Sequence, residues 1–284
     1  MNLSFRRKAV NAIMLTLTGV CTVFVAGSLL VILGYLAWNG ATSLSLNFFT
    51  RLPAPIGEAG GGMANAIIGS GKVLLIAMSI GVPIGFFAGV YLSEFGEGMF
   101  SGLVRYATDL LNGIPSIVIG IFAYALVVQP MKHFSTLAGG VALGIMMIPI
   151  ALRTTEEFLR AVPVSLREGT MALGASKSRT IFTVVIPAAK SGILSGLMLN
   201  LARVAGETAP LLFTTLGSDF WSPGYLLPTA TLPQMIYKYA ISPIEDWHRQ
   251  AWAAGFVLLV LVLTVNVVAR FAIGRGSEIG RAHV

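Results

Sequence analysis

Long apolar runs without charge alternate with short polar or basic segments along the whole chain. Five such runs cover residues 12–38, 73–93, 110–129, 134–152 and 250–269. A sixth run, residues 191–216, is interrupted only by Arg203 and Glu207. A helix needs about 20 apolar residues to cross the hydrocarbon core of a bilayer. The pattern therefore predicts an all-α membrane protein with six transmembrane helices, the second beginning near residue 66.

Small residues and prolines suggest how these helices pack. Gly81, Gly85 and Gly89 recur at four-residue spacing on one face of the second helix, which lets two helix backbones approach closely. The stretch NGIPS, residues 112–116, is expected to break the third helix, because a proline in a helix interior removes a backbone donor and clashes with the preceding turn. We expect a packed bundle with interrupted helices.

The composition agrees with a membrane location. Of the 284 residues, 55% are hydrophobic and 11% are charged, with a mean hydropathy of +0.81, whereas soluble domains carry roughly 25% charged residues. The single cysteine, Cys21, excludes a disulfide framework and a cysteine metal cluster. The net charge of +7 is explained by topology, so it predicts no nucleic-acid partner.

The basic residues also predict an orientation. With the N-terminus inside, most Lys and Arg residues of the loops fall on the cytoplasmic side, including the N-terminal Arg6, Arg7 and Lys8. The basic loop residues that then fall outside are Arg51, Lys132, Lys238 and Arg249. Both termini are therefore expected to be cytoplasmic.

The basic segment between the fourth and fifth spans is expected to form a helical hairpin. Ser165 followed by Glu168 three residues later is a capping-box pattern that begins a short helix. Gly174 supplies the positive φ that ends it, and Ser176 begins a second short helix that is expected to stop at Pro187. A rigid, basic, exposed hairpin suits docking to another protein, although an ordinary helical loop remains an alternative.

The spacing within this segment matches a known motif. Glu168, Gly174 and Pro187 stand at E-x5-G-x12-P, which resembles the EAA loop of ABC importer permeases, although Gly169 and Thr170 replace its two alanines. In that family the loop holds a helix that sits in a groove of the ATPase subunit. The resemblance assigns ATPase coupling to Glu168, Ala172, Leu173, Gly174 and Pro187.

Four further segments resemble the A-type membrane subunit of phosphate-specific ABC importers. They are GVYLSEF (89–95), GIPSIVIGIFAY (113–124), ARVAGETAPLLFT (202–214) and LPQMIYKYAISPIEDWHRQAWAAG (232–255), and the likeness extends over residues 10–273. It implies a type I ABC importer permease in the bacterial inner membrane that forms half of a phosphate pore. The implied partners are two nucleotide-binding ATPase subunits, a second homologous permease, an extracytoplasmic phosphate-binding protein and membrane lipid.

The resemblance also implies a division of the chain. Residues 1–62 are expected to form a cytoplasmic tail, an anchor helix and an outer loop, and residues 63–273 a permease core of five helices with the hairpin at 153–190. Residues 274–284 are expected to form a tail, whose ending EIGRAHV, 278–284, resembles translated adapter DNA and is expected not to belong to the fold.

The charged pair in the fifth span is the candidate site for an anion. Arg203 lies 13 residues beyond Lys190, about 20 Å along a helix, and Glu207 is expected one turn further on the same face. Charges at this depth are costly, so they should face a protein-lined cavity. A guanidinium suits a tetrahedral oxyanion, and a carboxylate would accept a hydrogen bond from phosphate but repel sulfate. A closed Arg203–Glu207 ion pair that only fixes helix packing is the alternative.

Lys72, near the outer end of the second span, is a weaker candidate for drawing anions into this path, and snorkelling toward the interface is its alternative role. The nearby GSGK, residues 69–72, lacks the glycine spacing and the Ser/Thr of a nucleotide loop. The chain is therefore expected to be no enzyme and to carry no cofactor, with ATP bound by partner subunits.

Three rival functions remain. An intramembrane serine protease would need a nucleophile and a base at membrane depth, but the histidines lie in loops or the tail. A stand-alone secondary transporter would need no ATPase partner. A sister ABC permease for another anion, such as phosphonate or sulfate, would be distinguished by competition in uptake assays.

Overall fold

The computed structural model describes residues 3–55, 58 and 60–278, and these are helical almost throughout. Within those residues the backbone forms no strand, only the isolated bridges Pro53–Gly61 and Leu216–Thr229. The predicted all-α fold is confirmed. The helices are α1 Leu3–Ser43, α2 Leu46–Thr50, α3 Ala64–Glu94, α4 Met99–Gly113, α5 Ser116–Ala123, α6 Gln129–Met131, α7 Thr136–Arg160, α8 Val164–Ala172, α9 Lys177–Thr180, α10 Ile186–Ala205, α11 Ala209–Leu212, α12 Leu232–Ala240 and α13 Glu245–Glu278.

The predicted count of six spans is met if one bent helix pair is counted as a single span. Five helices are long and apolar enough to cross a membrane, and the sixth is the pair 98–113 and 116–131, bent by 103°. The last helix continues to Glu278, beyond the core boundary expected at residue 273. Most of the adapter-like ending, residues 279–284, lies outside the described residues.

The glycine stripe places α3 directly against α7, as its spacing predicts. A Cβ added at Gly81 would lie 2.5 Å from the Cβ of Met147, and one at Gly89 would lie 2.6 Å from the Cβ of Thr155. At Gly85 the same atom would lie 2.5 Å from the Cβ of Ala151. Only glycine fits these positions, so the two backbones form the centre of the bundle.

The prolines act where a missing donor is tolerated. Pro115 sits at the start of α5 with ψ 134°, and the bend there confirms the predicted break at NGIPS. The expectation that a helix stops at Pro187 is wrong. The chain runs as one helix from residue 177 to 205 through a π-helical turn at Ile181–Val185, and Pro187 occupies the first turn after it. The wider turn re-routes the backbone bonds, so the missing N–H of proline costs little.

The first helix lies at the edge of the bundle. The 18-residue apolar window of α1 has no buried residue, whereas 67% of the corresponding window of α7 is buried. Helix α1 rests on α13, with Tyr35 packed edge-on against Trp252 at a ring separation of 5.3 Å. It therefore presents most of its apolar surface to its surroundings.

Candidate functional site

Arg203 lies where α10 ends. The helix stops at Ala205, and the amides of Gly206 and Glu207 bond to carbonyls three residues back, those of Arg203 and Val204. Pro210 explains this end, because its ring would clash with the Gly206 carbonyl if the helix continued. The fifth span is thus interrupted between α10 and α11.

This break corrects the expected geometry of the charged pair. Glu207 is half-buried in the non-helical link and does not lie one turn above Arg203 on a continuous helix. In the part of the chain that the structure describes, no salt bridge joins Arg203 to an acidic side chain. The alternative of a closed internal ion pair therefore has no support in the geometry, and the guanidinium is exposed.

A second break faces the first one. A Cβ added at Gly120 in α5 would lie 2.6 Å from the Cα of Pro210, so the half-helices α5 and α11 are in direct contact. Arg203 and Asn112, the first residue of NGIPS, line one narrow cleft of about 20 Å³ with a surrounding of apolar side chains. Such a volume holds about one water. The cleft itself therefore has no room for a tetrahedral oxyanion beside Arg203.

The buried amide of Asn200 fixes the orientation of this part of α10. Its Nδ2 donates to the carbonyl of Met147 at 3.1 Å, and only 2% of the residue is exposed. This hydrogen bond ties α10 to α7 one turn before Arg203. Sequence reasoning missed both Asn200 and Asn112 as neighbours of the site, although an amide in an apolar run was a visible signal.

Lys72 is not brought to the Arg203 cleft. Its Nζ donates to the Ser222 carbonyl at 2.6 Å and lies 5.7 Å from the ring centroid of Tyr225. The ammonium thus anchors the loop between α11 and α12. In helix α12, burial first and the charge of Asp219 second raise the pKa of Tyr239 to about 12.

The hairpin is helical and exposed, as expected, but its first cap differs. Helix α8 begins at Val164 after Pro163, without a side-chain cap. Ser165 is already in the first helical turn, so the predicted capping box with Glu168 is wrong, because a capping residue needs a non-helical backbone. Gly174 has the predicted positive φ of 87°.

The second half of the hairpin carries its predicted cap. The Ser176 hydroxyl accepts from the amide of Arg179 at 3.4 Å, at the start of α9. Glu168 and Ala172 face solvent, and Leu173 at the tip is 91% exposed. An apolar side chain presented in this way is typical of a contact surface.

Arg167 fastens the hairpin to the bundle. Its Nη2 lies 2.9 Å from Glu94 Oε1 at the end of α3. At the end of α7, Nη2 also donates to the Leu159 carbonyl, and Nη1 donates to the Val162 carbonyl. The side chains of Arg167 and Glu94 are only 17% and 5% exposed. The hairpin is therefore held in place by a largely buried ion pair.

A second ion-pair cluster lies beside it. Glu156 in α7, with a side chain only 3% exposed, pairs with Arg105 of α4 at 2.7 Å and with Arg160 at 2.9 Å. Arg105 also donates to the Leu92 carbonyl of α3 at 2.9 Å. Asp109 of α4 accepts from Arg153 Nε at 3.1 Å. We call the groups at Glu94, Arg105, Asp109, Arg153, Glu156, Arg160 and Arg167 the hairpin-end network.

Known proteins resemble this chain over most of its length. The phosphate transport system permease protein PstA of Yersinia pestis is 44% identical, over 93% of this chain and 90% of the relative. The protein of the same name from Haemophilus influenzae is 43% identical, over 93% of this chain and 94% of the relative.

Solved structures share the fold at low identity. An inward-facing MetNI methionine ABC transporter matches with a TM-score of 0.56 and 19% identity, over 76% of this chain and 96% of the other. A bacterial ABC transporter involved in the import of alginate matches with a TM-score of 0.59 and 13% identity, over 96% and 97%. The expected type I ABC importer permease fold is confirmed.

A family model described as the inner membrane component of binding-protein-dependent transport systems matches residues 81–275. Such a permease is a multi-pass inner-membrane protein, is not itself a catalytic enzyme, and works with ATPase and substrate-binding components. On this match and on the relatives above, the chain belongs to the family of binding-protein-dependent transport system inner membrane components.

Proposed function

We propose that this chain is the permease subunit of an ATP-driven importer of inorganic phosphate and forms half of its translocation pore. The observation that carries the proposal is the exposed guanidinium of Arg203 at the end of α10, beside the bend at NGIPS. The chain breaks between α4 and α5 and again between α10 and α11, and both breaks lie beside Arg203. The guanidinium at this place has open space on one side. The relatives are named as phosphate transport permeases, which supports phosphate as the anion.

A second permease subunit completes the site. An arginine facing lipid at this depth costs several kcal/mol, about 2.5–3.5 by insertion scales. The exposed side of Arg203 is therefore covered by protein, and the adjacent apolar face of α4 and α5 supplies the surface. Its exposed members are Leu110, Leu111, Ile114, Ile117, Val118, Ile121 and Phe122. A homologous permease that packs on this face encloses the anion between the two chains.

The hairpin docks an ATPase subunit on the cytoplasmic side. This places both termini inside, with the basic residues of the hairpin and of the N-terminus on the same side. Glu168, Ala172, Leu173 and Gly174 form the contact, while Pro187 acts at the base of the hairpin. A soluble binding protein delivers phosphate to the opposite end, and two partner ATPases bind the ATP that this chain does not hydrolyse.

Transport assays on the assembled complex test the proposal. The assay uses proteoliposomes that contain this chain, its permease and ATPase partners and the binding protein. They are expected to take up radiolabelled phosphate only when ATP is present on the side of the membrane that the ATPase subunits face. Excess unlabelled sulfate or methylphosphonate is expected not to compete. Competition by either anion favours the sister ABC permease, and uptake without the ATPase favours a secondary transporter.

Glu207→Gln tests how the anion is selected. Phosphate keeps at least one P–OH donor at neutral pH, whereas sulfate has none, so the carboxylate of Glu207 favours phosphate. The neutral amide accepts from the same donor but no longer repels a fully ionised anion. We expect phosphate uptake to fall about tenfold or less, while sulfate becomes a competitor in the same assay. An unchanged competition profile would show that Glu207 takes no part in selection.

Leu173→Asp tests the docking surface. The side chain is 91% exposed, so the change leaves the fold intact but places a charge in an apolar contact. We expect the ATPase subunit to be lost when the complex is purified through a tag on this chain. The matched control is Leu46→Asp, which changes an 87% exposed leucine at the other end of the bundle. Equal ATPase recovery from both variants contradicts docking at the hairpin.

A further inference from the structure

A cleft of about 1000 Å³ opens between α1, α12 and α13, at the end of the bundle opposite the hairpin. Pockets that bind small ligands measure about 300–1000 Å³, so this cleft is large enough for a sizeable ligand. It is separate from the Arg203 cleft and has no part in the proposed transport path.

The two long walls of the cleft share one polarity gradient. On α1, Tyr35 and Leu36 are followed toward the helix end by Asn39, Thr42 and Ser43. On the antiparallel α13, Gly255 and Trp252 give way in the same direction to His248, Arg249 and Glu245. These two walls are thus apolar toward the middle of the bundle and mostly polar at the mouth, while α12 adds the apolar Ile236 and Ala240. The gradient spans about 15 Å, the length of ten helical residues.

The polar mouth carries both signs of charge. Arg249 is exposed and takes part in none of the salt bridges or side-chain hydrogen bonds among the described residues. Glu245, one helical turn away, is 80% exposed and lies 3.7 Å from His248 Nδ1. The other ring nitrogen of His248 is 2.6 Å from the Ser242 carbonyl. A cation and an anion therefore face the same opening.

We propose that this cleft binds a phospholipid with a zwitterionic ethanolamine headgroup. Arg249 pairs with the phosphate, because a guanidinium matches its oxygens, and Glu245 accepts from the ammonium. An acyl chain lies in the groove along the apolar parts of α1 and α13, next to the Tyr35–Trp252 contact. The bilayer supplies such a ligand with its head at the interface and its chains toward the centre, which is the order of polarity along the cleft.

This lipid would hold α1 to the bundle. Helix α1 is exposed along most of its apolar length, and near its outer end it packs on α13 alone among the long helices, with Tyr35 against Trp252. A lipid in the cleft adds apolar contact to both helices, and its charged head adds two ion pairs at the mouth. Removing the lipid should therefore lower the stability of the complex.

Lipid titration of the delipidated complex tests this proposal. The complex is purified through a tag on this chain, and lipid binding is followed by native mass spectrometry and by the thermal unfolding midpoint. We expect phosphatidylethanolamine to bind at least about tenfold more tightly than phosphatidylglycerol and to raise the midpoint. Arg249→Gln should weaken both lipids by about tenfold, the size of one lost charge-assisted contact. Glu245→Gln should equalise the two lipids.

Controls separate the possible sources of the headgroup chemistry. Arg51→Gln, an exposed arginine at the same end but outside the cleft, should leave both affinities unchanged. Soluble glycerophosphoethanolamine and inorganic phosphate should not raise the midpoint, because they lack the acyl chain. A midpoint raised equally by these soluble compounds overturns the lipid assignment. A cleft occupied by polypeptide in the complex, or an unchanged lipid preference in Glu245→Gln, also overturns it.

Discussion

Arg203→Gln should reduce phosphate uptake by at least about tenfold, since a charge-assisted contact to the anion is replaced by a neutral one. Glutamine keeps a polar side chain with an N–H donor, so the variant removes the charge and the paired donors of the guanidinium. The initial rate of radiolabelled phosphate uptake by proteoliposomes measures it, with ATP hydrolysis recorded in parallel. We expect hydrolysis to persist, because the hairpin is unchanged.

Two further variants serve as comparisons for Arg203→Gln. Arg203→Lys keeps the charge but loses the paired donors, so its uptake rate should fall between those of the wild type and Arg203→Gln. Lys190→Gln removes an exposed cation from the other end of the same helix and should have no effect. Normal uptake by an assembled Arg203→Gln complex would refute the anion path at the break of α10.

Gly85→Leu should abolish assembly of the permease. Even the first added carbon would lie 2.5 Å from the Cβ of Ala151, 2.8 Å from the Ile148 carbonyl and 3.0 Å from the Leu152 amide. Two of these three atoms belong to the backbone and cannot rotate away, so α3 and α7 must separate. Overpacking in well-packed cores costs about 1–3 kcal/mol, and a backbone clash costs more. The amount of monodisperse complex recovered from membranes measures the effect.

Gly71→Leu is the matched control, because it makes the same change in the same helix where no atom lies within 4 Å of the added Cβ. It should assemble normally. If both variants assemble equally well, the close approach of α3 and α7 does not hold the bundle together. If both fail, helix α3 does not tolerate leucine at either position, and the loss of assembly is not due to the α3–α7 contact.

The sequence predicted the fold well where local signals decide the outcome. Uncharged apolar runs set the spans, since charge is excluded from the bilayer core. The glycine spacing predicted the α3–α7 contact, and Pro115 predicted the bend. The end of α10 at Ala205 was not predicted, because the apolar run continues to residue 216. Gly206 and Pro210 are local signals for this helix end. The spacing of Ser165 to Glu168 predicts a cap at Ser165, but Pro163 already precedes the first helical residue, Val164.

The candidate site was predicted only in part, because its geometry depends on distant segments. Arg203 was identified from the cost of a charge in the membrane, but its neighbour Asn112 comes from a different span. Glu94 and Arg167 pair across 73 residues of sequence. The sequence around Glu94 contains no signal that points to Arg167, and the sequence around Arg167 contains none that points to Glu94. From the sequence, basic residues such as Arg167 therefore indicate only the membrane topology.

The hairpin-end network has a mechanical consequence. It clamps the hairpin to α3 through Arg167, while Arg105 joins α4 to both α3 and α7. Helix α4 leads directly into the bend beside Arg203. A force on the hairpin would therefore reach α4 through this network. A shift of α4 would move the bend beside Arg203 and change the width of the cleft there.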